Sequence, residues 1–465
     1  MASVMALTTS GGDTGLKGEA LDALAGRLRG ALLTPEVDGY HEARQVWNGM
    51  IDRKPALIGR CTGTGDVKLC VEFAREHDLL VSVKGGGHNI VGKGAWDGAF
   101  MIDLSLMRTT HVDTGQRRAR TGGGAKWGDF DHETQAFGLA TTGGTNTDTG
   151  IAGLTLGGGI GWLAGRYGLA CDNLLSANVV LSDGRVVTAS EAENDDLFWG
   201  LRGGSGNFGI VTSFEYQLHP VPGVLAGPVF HPYSEAANVL GFYREFVRTI
   251  PDELVTAGGL LHNPDGEPVA GVIGCWNGPF DEGEQVLRPV REFGPPRVDE
   301  IQPMPYTAIQ AALDSAFEPR HRYYLTGALM ADVTDDAIAT MVDHYARVPS
   351  PASLVVLQQI GNAANRVDPM ATAFSHRSAR YDLVIVSRWS DPADDGENIR
   401  WARELHDAME SFSLRAHYVN SVGDDPDITV HTAYRPETFA RLASLKAKYD
   451  PTNFFRLNPN IPPPA

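Results

Sequence analysis

Apolar residues recur at helical spacing in some stretches of the chain and run together or alternate in others. Val67, Cys70/Val71 and Ala74 stand at i, i+3/i+4 and i+7, which predicts a helix over 67–77 with Asp66 at its N-cap. Similar spacing predicts helices over 21–33 and 126–137, while residues 1–20 read as loose. The apolar runs 79–83 and 99–104 read as strands, so the chain begins with a β-α-β-type unit. Runs 175–181 and 185–189 flank Ser182-Asp183-Gly184, a turn signal that predicts a hairpin. Asn194 caps a short helix that Gly203-Gly204-Ser205-Gly206 breaks, and 210–218 alternates as a strand.

Pro220, Pro222 and Gly223 mark a boundary. Beyond it glycine thins out. Helical stretches (236–250, 284–293, 335–346, 398–412) alternate with apolar strands (269–275, 324–331, 354–358, 383–387). This predicts a second, α+β domain over 223–415, a sheet with helices on one face. The last fifty residues close on 446–461. Its three asparagines and two prolines argue for an ordered irregular tail rather than a helix.

Composition narrows the class. At 465 residues and 42% hydrophobic content the chain can bury a large core in two or three domains. The net charge of −18 is interspersed and would repel a phosphate backbone, so nucleic acid is not an expected partner. Cys61, Cys70, Cys171 and Cys275 lack CxxC or Cys/His spacing, and His77, His111, His132 and His262 share none, so neither a disulfide framework nor a metal site is expected. The N-terminus has no secretory pattern and no apolar stretch reaches membrane-spanning length, so a cytoplasmic setting is the expectation.

The chemistry concentrates in two glycine tracts. After the strand over 79–83, Lys84-Gly85-Gly86-Gly87-His88-Asn89 offers consecutive exposed N–H groups and close backbone approach, with a histidine beside them. Residues 141–161 carry eight glycines, a density through which no helix or long strand runs easily. Gly159-Ile160-Gly161-Trp162-Leu163-Ala164 matches G-x-G-x-x-A, but no strand precedes it and Tyr167-Gly168 stops any helix early, against a Rossmann unit. The two tracts together suit an extended diphosphate lying between two lobes of strands.

Ser82–Asn89, the tract 152–162, Tyr167-Gly168-Leu169-Ala170-Cys171-Asp172-Asn173, the run 199–212 and the C-terminal 449–456 occur in order. On these residues the chain resembles the FAD-linked oxidases of the vanillyl-alcohol-oxidase/PCMH superfamily, in particular the berberine-bridge-enzyme-like branch. The resemblance implies an α+β fold: a PCMH-type two-lobed FAD-binding domain over 1–222, an α+β substrate domain with a large antiparallel sheet over 223–415, and a segment 416–465 returning to the FAD domain. It implies FAD contacts from Lys84, Gly85, Gly86, Gly87, His88, Asn89, Gly92, Thr142, Gly143, Thr149, Gly150, Gly153, Gly158, Gly159, Gly161, Gly209, Val211, Asn458 and Asn460. His88 aligns with the histidine that bonds the flavin 8α-methyl carbon. Asn146 stands where many members carry a second, cysteine tether, which implies a single covalent anchor and leaves Cys171 as a buried thiol.

Tyr418-Val419-Asn420 matches the family's Tyr-x-Asn strand. It implies Tyr418 as the catalytic base, with Asn420 beside the flavin. Tyr324, Gln358 and Arg388, on strands of the second domain, are candidates to line the pocket. The activity implied is hydride transfer from an alcohol or amine carbon to flavin, followed by reduction of dioxygen to hydrogen peroxide, by a monomer or homodimer. A dehydrogenase with another acceptor and a flavin-containing sequestering protein are the alternatives. The first differs from the oxidase at the oxygen-access position, placed near Thr149.

Overall fold

The computed structural model describes residues 1–423 and 428–464. A four-stranded sheet runs in the order Ala31–Leu33, Leu57–Arg60, Phe100–Asp103, Val81–Lys84; the last three strands are parallel and the first antiparallel. Parallel neighbours need a crossover. The helix Thr64–Glu76 supplies one and buries Val67, Cys70, Val71 and Ala74 in the core of this lobe. The strand Val81–Lys84 ends at the carboxyl edge of the sheet, so Gly85 onward projects from the sheet end where α/β proteins place their ligands.

The second lobe is a five-stranded antiparallel sheet in the order Val186–Ser190, Leu174–Val180, Ile210–Gln217, Arg118–Gly122, Thr110–Asp113. Its core takes in Trp127 and Phe130 from the helix Trp127–Gln135 and Leu442 and Leu445 from the helix Pro436–Tyr449, so the end of the chain packs with residues far upstream. Lys446 anchors that return. Its buried ammonium donates to Asp450 Oδ2 at 2.6 Å and to the carbonyls of Asn207 (2.7 Å) and Phe455 (2.9 Å). Asp450 in turn accepts the amides of Phe454 and Phe455.

An eight-stranded sheet, antiparallel throughout, is built from the middle of the chain. Helices Ala236–Val247, Phe280–Glu292, Asp335–Tyr345 and Asp395–Met409 cover one face, with Tyr243, Leu287, Met341 and Trp401 in that layer. On the other face Tyr323, Leu354 and Val386 meet Trp47 from the first lobe. Alternation along the strand Tyr381–Trp389 sends Tyr381, Leu383 and Ile385 to the helices and Val384 and Val386 to the opposite face. Asp382 shares that opposite face.

Several elements differ from expectation, each for a local reason. The predicted helix over 21–33 stops at Ala25, and Ala31–Leu33 is a strand. Asp66 pulls the intervening backbone in by accepting the amides of Arg29 and Gly30. Asp66 is therefore not an N-cap: it lies inside its helix, Gly63 is the cap, and its carboxylate also accepts from Thr62. A six-residue helix, Ile151–Leu156, does run through the glycine tract, because Ile151, Thr155 and Leu156 are buried and packing outweighs the roughly 1 kcal/mol that Gly153 costs. Residues 1–20 are not loose, since Val4–Leu7 and Asp13–Leu16 pair antiparallel, and several strands went unread, among them Val224–Pro232 and Leu254–His262. Pro228 and Pro232 stand in one and Gly258-Gly259 in the other, and Gly258 lies under the Tyr243 ring, where a Cβ would come within 2.5 Å. The irregular tail is as expected, but only after Tyr449, where the last helix ends.

Candidate active site

The two glycine tracts touch backbone to backbone. A Cβ on Gly86 would lie 2.4 Å from Gly150 Cα, and one on Gly150 would lie 2.7 Å from Gly86 Cα, so neither position admits a side chain. Gly85 abuts Gly123, and Gly161 packs against the Gly143 carbonyl, with only 2.0 Å left for a Cβ. Gly87, Gly92, Gly158 and Gly159 hold positive φ. The amides of Gly86, Gly87 and His88 have no acceptor among the described residues. They form a row of free donors at the end of a strand, the arrangement that takes phosphate oxygens.

Asn458 Oδ1, Asn460 Oδ1 and Asn146 Nδ2 are buried without a partner. Asn458 is held here by its Nδ2, which donates to the carbonyls of Gly206 and Phe455, and Lys93 donates to its carbonyl. Gly153 faces open space. Free amides and orphaned asparagine atoms beside a glycine that faces open space are what an extended cofactor with a diphosphate would satisfy, so the residues present fit FAD.

Other predicted contacts have different surroundings. Lys84 is buried with its ammonium directed to the carbonyls of Ala43 and Gln45, 3.6 Å from Asp103, and not toward the glycine loop. Burial pulls its pKa down and Asp103 opposes that. Asn89 closes a turn by accepting the Lys93 amide. The hydroxyl of Thr142 donates to the Gly168 carbonyl, and Thr149 accepts the Trp127 amide. Gly209 packs on Val179, and the Val211 side chain is in the second-lobe core, which leaves their backbone for any contact. Cys171 is a free buried thiol whose pKa burial pushes up.

His88 Nε2 is 2.9 Å from Asp148 Oδ2, and Lys126 pairs with the other carboxylate oxygen. Across the cradle, Tyr418 Oη accepts the Gly159 amide at 2.8 Å and Asn420 Nδ2 at 2.7 Å, and Asn420 also donates to the Leu154 carbonyl. Gly157 leaves room for Asn420, whose Oδ1 lies 2.1 Å from a built Cβ. This group is a short 3-10 turn, Val419–Ser421, and not a strand. The chain bonds the edge strand through Leu414 and Ala416 and then turns in toward the glycines.

Asp382 is the residue that sequence reasoning missed. It is 3% exposed, on the sheet face that looks toward Tyr418, and no hydrogen bond or ion pair among the described residues reaches its carboxyl. Burial pushes its pKa up to about 7, and its charge in turn acts on the Tyr418 phenol, which burial also raises. Asp-Leu-Val-Ile-Val hid it: an acid opening an apolar strand reads as a solvated end. Gln358 pairs with Asp382 across the two strands. Tyr324 does not line this face; it points into the helix-covered core, where its hydroxyl accepts from Arg403. Arg388 is tied to the carbonyls of Ser315 and Ala316 and to Glu318 at the far end of the strand.

Fold and site define an FAD-dependent oxidoreductase with a two-lobed flavin domain. Family models agree: an FAD binding domain matches residues 55–190, and the berberine and berberine-like segment matches 417–462. Among characterised relatives, (R)-6-hydroxynicotine oxidase of Paenarthrobacter nicotinovorans is 32% identical over 94% of this chain and 97% of its own. An FAD-linked oxidoreductase of Dictyostelium discoideum is 30% identical over 90% and 91%. The crystal structure of 6-hydroxy-D-nicotine oxidase from Arthrobacter nicotinovorans superposes with a TM-score of 0.84 at 30% identity, covering 93% of this chain and 98% of that one. The chain belongs to the berberine-bridge-enzyme-like FAD-linked oxidoreductases. Among the described residues no helix is long and apolar enough to cross a membrane, and no cluster of His, Cys, Asp or Glu could hold a metal.

Proposed function

We propose that this protein is an oxidase that removes hydride from an alcohol or amine carbon of a small molecule and passes the electrons to dioxygen, with its FAD held covalently through His88 alone. The observation that carries the reading is the unpartnered Asp382 carboxyl on the sheet face opposite the glycine cradle, beside Tyr418. Bound FAD supplies the hydride acceptor. The chain supplies the rest. Asp382, with its pKa near neutrality, accepts the proton of the substrate O–H or N–H as the C–H bond breaks. Tyr418 is placed differently from a tyrosinate base. Its oxygen already accepts two N–H groups, which leaves its own hydrogen to donate to the substrate heteroatom. Asn420 fixes the phenol. The named activities of the relatives, on a nicotine derivative and, for a 25% identical solved structure, on chitooligosaccharides, support an amine or alcohol as the donor class.

The test is anaerobic flavin bleaching against a panel of amines, secondary alcohols and sugars, followed by mixing with oxygen. Fast bleaching and fast reoxidation are expected. Bleaching that only an artificial acceptor reverses makes the protein a dehydrogenase. Tight binding without bleaching makes it a sequestering protein. Asp382→Asn is expected to slow bleaching by about 10²–10⁴-fold while leaving reoxidation unchanged. Equal slowing of both halves refutes the base assignment.

A further inference from the structure

His88 is gripped on two sides by groups that the reaction itself does not use. The Trp47 indole stacks on the imidazole, with centroids 5.0 Å apart and planes at 23°. Trp47 is held in turn by its amide to the Gly87 carbonyl, by its indole N–H to Phe317 and by stacking on Tyr323 at 4.0 Å. At the ring edge, Nε2 lies 2.9 Å from Asp148 Oδ2. Asp148 is itself fixed: Lys126 pairs with its other oxygen and its amide donates to Asn146 Oδ1 at 3.0 Å. Asn146 thus shapes the turn that presents the carboxylate, at the position where many relatives carry a second flavin tether. The same loop is tied down by Thr147, whose amide and hydroxyl both donate to Asp314.

Burial pushes the Asp148 carboxyl up, but the hydrogen bonds and charges of His88 and Lys126 outweigh it and hold the group below the usual carboxylate range. It is an anion at neutral pH, and an anion only accepts. A hydrogen on Nε2 answers that acceptor, and in the neutral ring this leaves the lone pair on Nδ1.

We propose that Asp148, braced by Lys126, is the positioning residue for the flavin tether: it holds His88 in the tautomer whose Nδ1 is the nucleophile and takes the Nε2 proton as the bond forms. The proposal rests on the reading that His88 bonds FAD. In that step the bond from Nδ1 to the 8α carbon forms and one 8α C–H bond breaks. The two electrons go to the isoalloxazine ring. Dioxygen then takes them, with the C–H and Nε2 protons, and leaves as hydrogen peroxide.

The experiment compares wild type, Asp148→Asn, Lys126→Met and His88→Ala, each purified from flavin-limited cells so that part of the protein has yet to form the bond. Flavin is measured before and after acid precipitation, and covalent occupancy is followed by intact mass during incubation with FAD in air. Asp148→Asn is expected to bind flavin normally but to form the bond at least tenfold more slowly, with Lys126→Met in between. A yellow wild-type pellet with Asp148→Asn tethered at the wild-type rate overturns the proposal and leaves the tether standing. Loss of non-covalent flavin together with the bond would make Asp148 a cradle residue and also overturn it. A colourless wild-type pellet removes the tether reading, and the proposal with it. Circular dichroism establishes folding; should Asp148→Asn fail there, Lys126→Met decides by the same rates, and a wild-type rate overturns the proposal.

Discussion

Replacing Asp382 with asparagine separates what this residue does for stability from what it does for chemistry. The carboxyl has no partner, and burial alone places it at about 7, against roughly 3.9 in an unfolded chain. Each pH unit of that separation is worth about 1.4 kcal/mol, so the ionised form lacks up to ~4 kcal/mol of folding free energy that the protonated form has. The sign follows from proton counts. Between about pH 4 and pH 7 the folded chain keeps a proton that the unfolded chain has lost. Asp382 therefore contributes fully below about pH 4, its contribution fades as pH rises to 7, and nothing further is lost above that. Asparagine, uncharged and of the same shape, has no such loss. At pH 5 the variant should be the more stable by only about 1.5 kcal/mol, and the two should diverge upward from there to as much as ~4 kcal/mol at pH 8.5. For a chain this long, unfolding as one unit, that is about 4 °C in the thermal midpoint. Thermal melts of the flavin-bound proteins from pH 5 to 8.5 measure it. Asp131, buried and also placed at about 7, has the same pH dependence in both proteins and drops out of the difference. Melting curves that stay parallel across the range would falsify the buried, unpartnered carboxyl. The variant gains stability where it loses turnover, as expected of a group kept for chemistry.

Four further outcomes follow from the packing. Gly86→Ala drives a Cβ into Gly150 and should part the two tracts; flavin affinity, read by fluorescence titration, is expected to fall at least tenfold, and wild-type affinity would refute the contact. Lys446→Met strands the Asp450 charge in a site where both side chains are 0% exposed, and urea unfolding should show a loss of about 3–5 kcal/mol. Arg377→Met does the same to Asp172, which Arg377 grips through two bonds of 2.7 and 2.8 Å behind the glycine tract; the same cost is expected, with weakened flavin binding. Tyr418→Phe deletes the acceptor of the Gly159 amide and Asn420; flavin reduction should slow about tenfold or more, and an unchanged rate would remove Tyr418 from the site.

The cradle was legible because its signal is local. Three glycines after a strand need no distant residue to explain them, and Gly86 proves unable to be anything else because Gly150 touches it. The helix Thr64–Glu76 and the hairpin at Ser182–Gly184 were legible for the same reason: period and turn chemistry lie within a dozen residues. What failed depends on residues far apart in the chain. Asp66 looked like a cap until Arg29 and Gly30 arrived to claim its carboxylate. The strand carrying Gly258-Gly259 is set by the Tyr243 ring that packs over Gly258 from a helix earlier in the chain. Asp382 is the extreme case. Nothing near it distinguishes it from a solvated strand end, and its chemistry exists only because Gln358 and Tyr418 come to it from two other stretches. The residue least visible in the sequence thus carries a carboxyl that burial pushes up to about 7. A site that must hold a bare carboxyl can hide it only by assembling its surroundings from distant parts of the chain.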